Sequence, residues 1–141
     1  VETGPEPATR LKRFLDSIGK GGIAVNFDPA NLVMVTGEDT VKGVEILKDY
    51  IVHTHAKDGL MVKKTDPKII YDFFGEVGIG DLMLWDYFLE TPLGEGSVDF
   101  PSYLKTLRDC GYQGFLTIER EVGEKPEEDI ALAVKYLRAS F

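Results

Sequence analysis

The sequence predicts an α/β fold in which parallel strands alternate with helices within 141 residues. Two observations predict it. Four segments carry apolar residues at helical spacing, and short, almost continuously apolar segments lie between them. Strands and helices that alternate with a period of about 30 residues are typical of βα units, whose strands form a parallel sheet. We expect residues 1–141 to form a single domain.

Each predicted helix has an apolar stripe, and most have a boundary signal. Gly19 and Gly111 stand where the first and third helices should end. Asp39 or Thr40 can cap the second helix, and Asp99 can cap the third. The four stripes are Leu11, Phe14, Leu15 and Ile18; Val41, Val44, Leu47 and Tyr50; Phe100, Tyr103, Leu104 and Leu107; and Ile130, Val134, Leu137 and Phe141.

The predicted strands are short and rich in β-branched and aromatic residues. They cover residues 22–27, 50–55 and 114–118. Val1 and Glu2 are expected to end a further strand, because the turn Thr3-Gly4-Pro5 follows them. The sequence therefore predicts several parallel strands that end in polar residues.

An insertion at about 60–90 interrupts this rhythm. Within it, residues 66–74 can form a short helix, and residues 82–89 are strongly apolar. A glycine-containing loop is expected just after it, at residues 93–97. The sequence leaves open whether the insertion is a lid, a contact between copies of the chain, or both.

Composition excludes some classes of protein. A net charge of −8 disfavours a nucleic-acid binder that depends on phosphate neutralisation. No apolar run approaches the roughly 18 residues that a membrane span needs, so no membrane segment is expected. The single Cys110 cannot form an internal disulfide, and a reducing, cytoplasmic location is expected.

Acidic residues and one histidine stand where the predicted strands end: Glu2, Asp28, His55 and Glu119. The carboxyl ends of parallel strands meet at one edge of the sheet, so we expect these side chains to converge. Three carboxylates and one imidazole form a hard, mostly oxygen site for a divalent cation. Mn²⁺ or Mg²⁺ suits such a set best, and Zn²⁺ or Co²⁺ can also occupy it. Each residue alone would equally fit a solvated or helix-capping role.

A second histidine, His53, precedes His55 by two positions. We expect only one of the two to face the site, with His53 on the opposite face of the strand.

Four motifs, in this order along the chain, resemble the sugar phosphate isomerase/epimerase superfamily of xylose isomerase-like (β/α)8 barrels. They are NFDPANL at 26–32, HTHAKD at 53–58, LGEGSVDF at 93–100 and GYQGFLTIE at 111–119. The superfamily includes ketose 3-epimerases, hydroxypyruvate isomerase, inosose dehydratase and a metal-dependent AP endonuclease. The resemblance covers the chain except for residues 60–90.

The resemblance implies a role for each site residue. Glu2, Asp28, His55 and Glu119 would hold the metal, and Glu2 and Glu119 would also form the catalytic acid/base pair. Lys57 would contact a substrate oxygen, and Asn31 stands where several relatives have a histidine that touches substrate or a further metal. Because the chain has two histidines, the three-zinc cluster of the endonuclease is not expected.

A complete barrel of this type takes about 250 residues. The resemblance therefore implies the C-terminal half of a (β/α)8 TIM barrel, with strands five to eight. The first half would be truncated, removed or a separate chain. The expected partners are a small sugar substrate and either a second copy of the chain or an N-terminal half-barrel, with no nucleic acid and no membrane.

The function that this predicts lies in carbohydrate metabolism. It is a metal-dependent sugar or sugar phosphate isomerase/epimerase, which acts through an enediolate on a ketose or a related keto-polyol. Two alternatives stay open: an inosose dehydratase-type lyase, and an inactive truncated barrel module that self-associates.

Overall fold

The computed structural model describes residues 1–19, 21–75 and 86–140. Within them the elements follow the order α1 (Ala8–Ile18), β1 (Val25–Phe27), α2 (Pro29–Asn31) with a π-helical turn over Leu32–Thr36, α3 (Thr40–Leu47), β2 (Ile51–Ala56), β3 (Asp58–Met61), α4 (Pro67–Gly75), β4 (Phe88–Thr91), α5 (Phe100–Asp109), β5 (Leu116–Ile118) and α6 (Pro126–Ala139). Among the described residues, no helix has the length and the apolar character that crossing a membrane requires.

The main sheet is parallel, with the strand order β1-β2-β5. The first residues of the chain extend it beside β1. The Asn26 N–H donates to the Val1 carbonyl at 2.8 Å, and the Thr3 N–H donates to the Asn26 carbonyl at 3.1 Å. The predicted parallel strands and their alternation with helices are therefore confirmed, and Glu2 pairs beside β1 as expected.

The two faces of this sheet differ in character. One face packs on the helices through apolar side chains that include Val25, Phe27 and Ala56, and the core there also contains Phe100 and Tyr103. Successive strand residues point to opposite faces. The residues between these apolar ones therefore face the other side, which is polar.

The helix boundaries were predicted better than the buried faces. Asp39 and not Thr40 caps α3, because the Asp39 side chain accepts the Lys42 N–H. Asp99 caps α5 as predicted and accepts the Ser102 N–H. In α1, Leu11 and Leu15 are buried, but Phe14 and Ile18 are each 51% exposed.

In α6, Ala133 and Leu137 are buried, whereas Ile130 is 40% exposed. The stripe predicted for this helix is therefore displaced, because its buried face is centred on the small Ala133. Phe141, the last residue of the predicted stripe, lies outside the described residues.

The segment predicted to be an insertion begins and ends in an antiparallel ribbon that the sequence pattern did not predict. Strands β3 and β4 pair from Asp58↔Thr91 to Met61↔Phe88. The short helix was predicted correctly, as α4, and Ile70 from it is buried in a small apolar cluster with Met34. Much of the predicted apolar stretch, up to residue 85, lies outside the described residues.

A buried carboxylate joins this ribbon to the glycine-containing loop. Asp58 accepts four backbone N–H bonds, from Gly59 at 2.8 Å, Gly94 at 2.9 Å, Gly96 at 3.0 Å and Val98 at 3.1 Å. A Cβ atom on Gly96 would lie 2.1 Å from Asp58 Oδ1, so this close approach requires glycine. The loop before α5 is therefore fixed by one side chain.

We predict that Asp58→Ala lowers the free energy of unfolding by about 4 kcal/mol or more, because four backbone N–H groups lose their acceptor and each such group costs about 1–3 kcal/mol when buried. Urea unfolding followed by circular dichroism measures this loss. Asp99→Ala is the matched control, since it removes only an exposed helix cap worth about 1 kcal/mol. Equal losses for the two variants would contradict the clamping role of Asp58.

Candidate metal centre

The four predicted ligand residues come together at the carboxyl edge of the sheet. Glu2, Asp28, His55 and Glu119 each offer one ligand atom, and these atoms all lie within 4.8 Å of one another. Glu2 comes from the segment beside β1, Asp28 follows β1, His55 lies in β2 and Glu119 follows β5. The convergence follows from the parallel sheet, which aligns the ends of its strands.

The imidazole of His55 lies at the centre of this group. Its Nδ1 atom is 3.1 Å from Asp28 Oδ2, 3.3 Å from Glu119 Oε2 and 3.8 Å from Glu2 Oε1. The hydrogen bond to Asp28, with the charges of Glu119 and Asp28, raises the pKa of His55 against the effect of burial. One ring nitrogen is therefore directed at three carboxylates.

Asp28 is held at both its side chain and its backbone. Its Oδ1 atom accepts the Asn31 N–H at 3.0 Å and so caps α2, while Oδ2 faces His55. The Thr3 hydroxyl donates to the Asp28 carbonyl at 2.8 Å and accepts its N–H at 2.7 Å. Asp28 thus caps a helix and also faces the centre, with its side chain fully buried.

Asn31 contacts the site through Glu2. Its side-chain Nδ2 donates to Glu2 Oε1 at 3.1 Å and to the Thr3 carbonyl at 3.0 Å. Burial, followed by the charge of Asp28, raises the pKa of Glu2. Asn31 therefore orients one of the candidate ligands in this structure.

Lys57, the predicted substrate contact, is enclosed by carboxylates. Its Nζ atom donates to Glu119 Oε2 at 2.9 Å and to Glu121, and it lies 3.5 Å from Glu90 Oε2. The side chain is 4% exposed. Burial by itself lowers the pKa of Lys57, but the hydrogen bonds that Lys57 donates to Glu121 and Glu119 outweigh it, and the pKa is raised.

Glu90 extends this network and was not found from the sequence. It lies on β4 and accepts from Arg120 Nη1 at 2.8 Å and from the Glu121 N–H at 3.0 Å. Arg120 Nε in turn donates to Asp129 at 2.8 Å. The available signal was that Glu90 directly follows the apolar residues 87–89 and precedes Thr91. Glu121 could have been found by its spacing of two residues from Glu119.

The expectation that His53 and His55 face opposite sides of β2 is wrong. Their rings meet edge to face with centroids 6.0 Å apart, and His53 Nε2 is 2.8 Å from the Thr117 hydroxyl. Residues two positions apart on a strand share a face. His53 therefore lies on the same face as His55, one layer further from the carboxyl edge, and it is not one of the four converging residues.

The residues of this centre suit a divalent cation. Three carboxylate oxygens and one imidazole nitrogen form the donor set, and oxygen-rich sets favour Mg²⁺ or Mn²⁺. Ionised carboxylates this close together repel one another, and a bound cation would compensate their charge.

A cavity of about 310 Å³ opens beside the four residues. Its lining includes Glu2, Asn31, Lys57, Glu119 and Glu121, and its size is at the lower end for a site that holds a small molecule. A larger groove of about 620 Å³ lies between α1 and α4 and contains none of the candidate ligands. The smaller cavity is therefore the better candidate for the substrate site, because candidate ligands line it.

The sequence profile of the xylose isomerase-like TIM barrel family matches residues 4–140. The chain belongs to this family. A crystal structure of a xylose isomerase domain protein from Planctomyces limnophilus superposes with a TM-score of 0.73 at 29% identity, over 99% of this chain and 43% of that one. The predicted superfamily and its α/β barrel fold are thereby confirmed.

Curated relatives include two kinds of protein. The rhizopine catabolism protein MocC of Rhizobium meliloti is 39% identical over 124 residues, which are 86% of this chain and 33% of MocC. Inosose dehydratases of Lacticaseibacillus casei and Clostridium botulinum (strain Eklund 17B / Type B) are 26% and 29% identical, over 99% and 94% of this chain and 45% and 42% of their own. The chain thus spans less than half the length of these relatives.

We predict that Asp28→Asn and His55→Ala each weaken Mn²⁺ binding by about tenfold or more, because a direct ligand should contribute at least as much as a residue that only supports one. Calorimetric titration of the chain with MnCl2 measures this. His53→Ala is the matched control, and it should change the dissociation constant by less than about threefold. Unchanged affinity in both ligand variants would exclude this centre as the Mn²⁺ site.

Proposed function

We propose that the chain carries the metal-binding and proton-transfer residues of an isomerase or epimerase that acts on a ketose or a related keto-polyol. The observation that supports this most is the convergence of Glu2, Asp28, His55 and Glu119 within 4.8 Å beside an open cavity. Two of the four, Glu2 and Glu119, have partly exposed side chains, as a group that exchanges protons with a substrate must.

A divalent cation held by these four residues would polarise the substrate carbonyl and so acidify the neighbouring C–H. Glu119 is proposed as the base that removes this proton. Lys57 donates to Glu119 Oε2 at 2.9 Å and so orients this carboxylate beside the cavity. Asn31 holds Glu2, the second carboxylate, which is proposed to return a proton.

The destination of the returned proton distinguishes the reactions. Return to the same carbon from the opposite face gives an epimer, and return to the adjacent carbon gives an isomer. Proton removal without return, followed by loss of a β-hydroxyl as water, gives dehydration.

Dehydration is the second candidate, and a specific observation favours it. Relatives that match 94–99% of the chain are named inosose dehydratases. The same base and the same cation would serve this reaction, so the site alone does not separate it from isomerisation.

The test is product analysis with the complete gene product that contains this chain. It is incubated with Mn²⁺ and either a panel of ketoses and their phosphates or a 2-keto-inositol. An epimer or isomer supports the first candidate, and an unsaturated or diketone product with release of water supports the second. If the protein neither binds Mn²⁺ nor converts any substrate, the inactive, self-associating module becomes the better explanation.

We predict that Glu119→Gln lowers turnover by roughly 10²- to 10⁴-fold, the usual effect of a positioned acid/base group. The amide keeps the size and one ligating oxygen but cannot accept the proton. The measurement is exchange of the substrate C–H with deuterated water, with bound Mn²⁺ measured in parallel.

Glu124→Gln, at an exposed acid five positions further along the chain, is the control and should retain normal exchange. Near-normal exchange in Glu119→Gln would assign the base to another residue. Loss of both metal and exchange would support the role of Glu119 as a ligand and leave its role as the base undecided.

A further inference from the structure

A second polar layer lies directly below the four converging residues. Asn26, His53 and Thr117 each precede a site residue by two positions, so they share the inner face of the sheet. Thr117 and His53 bond to each other at 2.8 Å. Asn26 instead contacts the layer above, because its Nδ2 atom lies 3.0 Å from Nε2 of His55.

The amide of Asn26 is only half satisfied. Its Nδ2 atom donates to His55 Nε2 and lies 3.4 Å from Glu2 Oε2, whereas its Oδ1 atom is buried with no hydrogen-bond partner among the described residues. Since an amide nitrogen can only donate, His55 Nε2 must accept in this arrangement. The imidazole hydrogen therefore lies on Nδ1, directed at Asp28.

Cation binding reverses this requirement. The nitrogen that faces the carboxylates is Nδ1, so His55 can bind a cation at this centre only through the Nδ1 lone pair. The hydrogen of the neutral imidazole then lies on Nε2, which becomes a donor that faces the amide hydrogens of Asn26. The acceptor that Asn26 can offer to this donor is Oδ1.

We propose that Asn26 is a positioning residue that holds His55 in its metal-binding tautomer by accepting the Nε2 hydrogen through Oδ1. A half-turn of the amide about its Cβ–Cγ bond achieves this. The turn pairs the oxygen with His55 Nε2 and gives up the 3.4 Å contact with Glu2, while the amide nitrogen takes the buried position that the oxygen held. Histidines that bind metals commonly donate their other ring N–H to an acceptor that fixes the tautomer. The proposal rests on the metal centre proposed above.

The first test is Mn²⁺ affinity of the full chain by calorimetry. Asn26→Leu keeps the size but removes the acceptor, and its dissociation constant should rise by about 10- to 100-fold, the usual effect of losing such a partner. Asn26→Asp keeps an acceptor and should bind at least as tightly as the unmodified chain. Gln113→Leu replaces an exposed amide with the same residue and should bind normally.

The second test identifies the tautomer and is insensitive to a general loss of stability. Nitrogen-15 spectra of the imidazoles at pH 8 should show hydrogen on Nδ1 of His55 without metal and on Nε2 with bound Zn²⁺. The Asn26 acceptor should protect this Nε2 hydrogen from exchange with water. In Asn26→Leu the hydrogen should therefore exchange faster. If that variant does not fold, the spectra of the unmodified chain and of Asn26→Asp decide.

Three results would overturn the proposal: Asn26→Leu binding within twofold of the unmodified chain, Asn26→Asp binding as weakly as Asn26→Leu, or Zn²⁺ bound through Nε2. If the unmodified chain binds no metal, the metal centre itself is wrong, which is a separate outcome.

Discussion

Three carboxylates directed at one imidazole nitrogen create a concentration of negative charge at the edge of the sheet, and much of the polar structure around it compensates that charge. Asp28 is fully buried and is held by the Thr3 hydroxyl and the Asn31 N–H. Lys57 places a buried ammonium against Glu119. A buried charge is tolerated when it is paired and hydrogen-bonded, so the site depends on these partners as much as on the four residues that face its centre.

The alternation of side chains along the strands distributes the roles. Phe27 and Ala56 point to the helices and belong to the apolar core, whereas their neighbours Asn26 and His55 point to the opposite, polar face. A substitution therefore acts on the core or on the site according to its position along the strand. At the end of β1, Asp28 has two roles, because its side chain caps α2 and also faces His55.

Much of the fold and the composition of the site could be predicted from local patterns. Asp99 as a cap, the parallel strands and the four converging residues followed from spacing and chain order. The ribbon and Glu90 could not, because pairing between residues far apart leaves little local signal in a sequence. The expectation for His53 was wrong for another reason, because it placed residues two positions apart on opposite faces of a strand. The two-residue period of a strand places them on the same face, so His53 lies beside His55. Its contact with Thr117 depends in addition on the neighbouring strand.

The ribbon has a consequence for how this region can change. Because Met61 pairs with Phe88, the chain leaves and re-enters the fold at adjacent points, and the cost of closing a loop grows only slowly with its length. The segment between these points can thus be lengthened, shortened or replaced without displacing the strands that end at the site. The contact to preserve is that of Ile70 with Met34. Variation among related chains is therefore expected to concentrate in this segment, while Asp58 and Glu90 at its two ends remain in place.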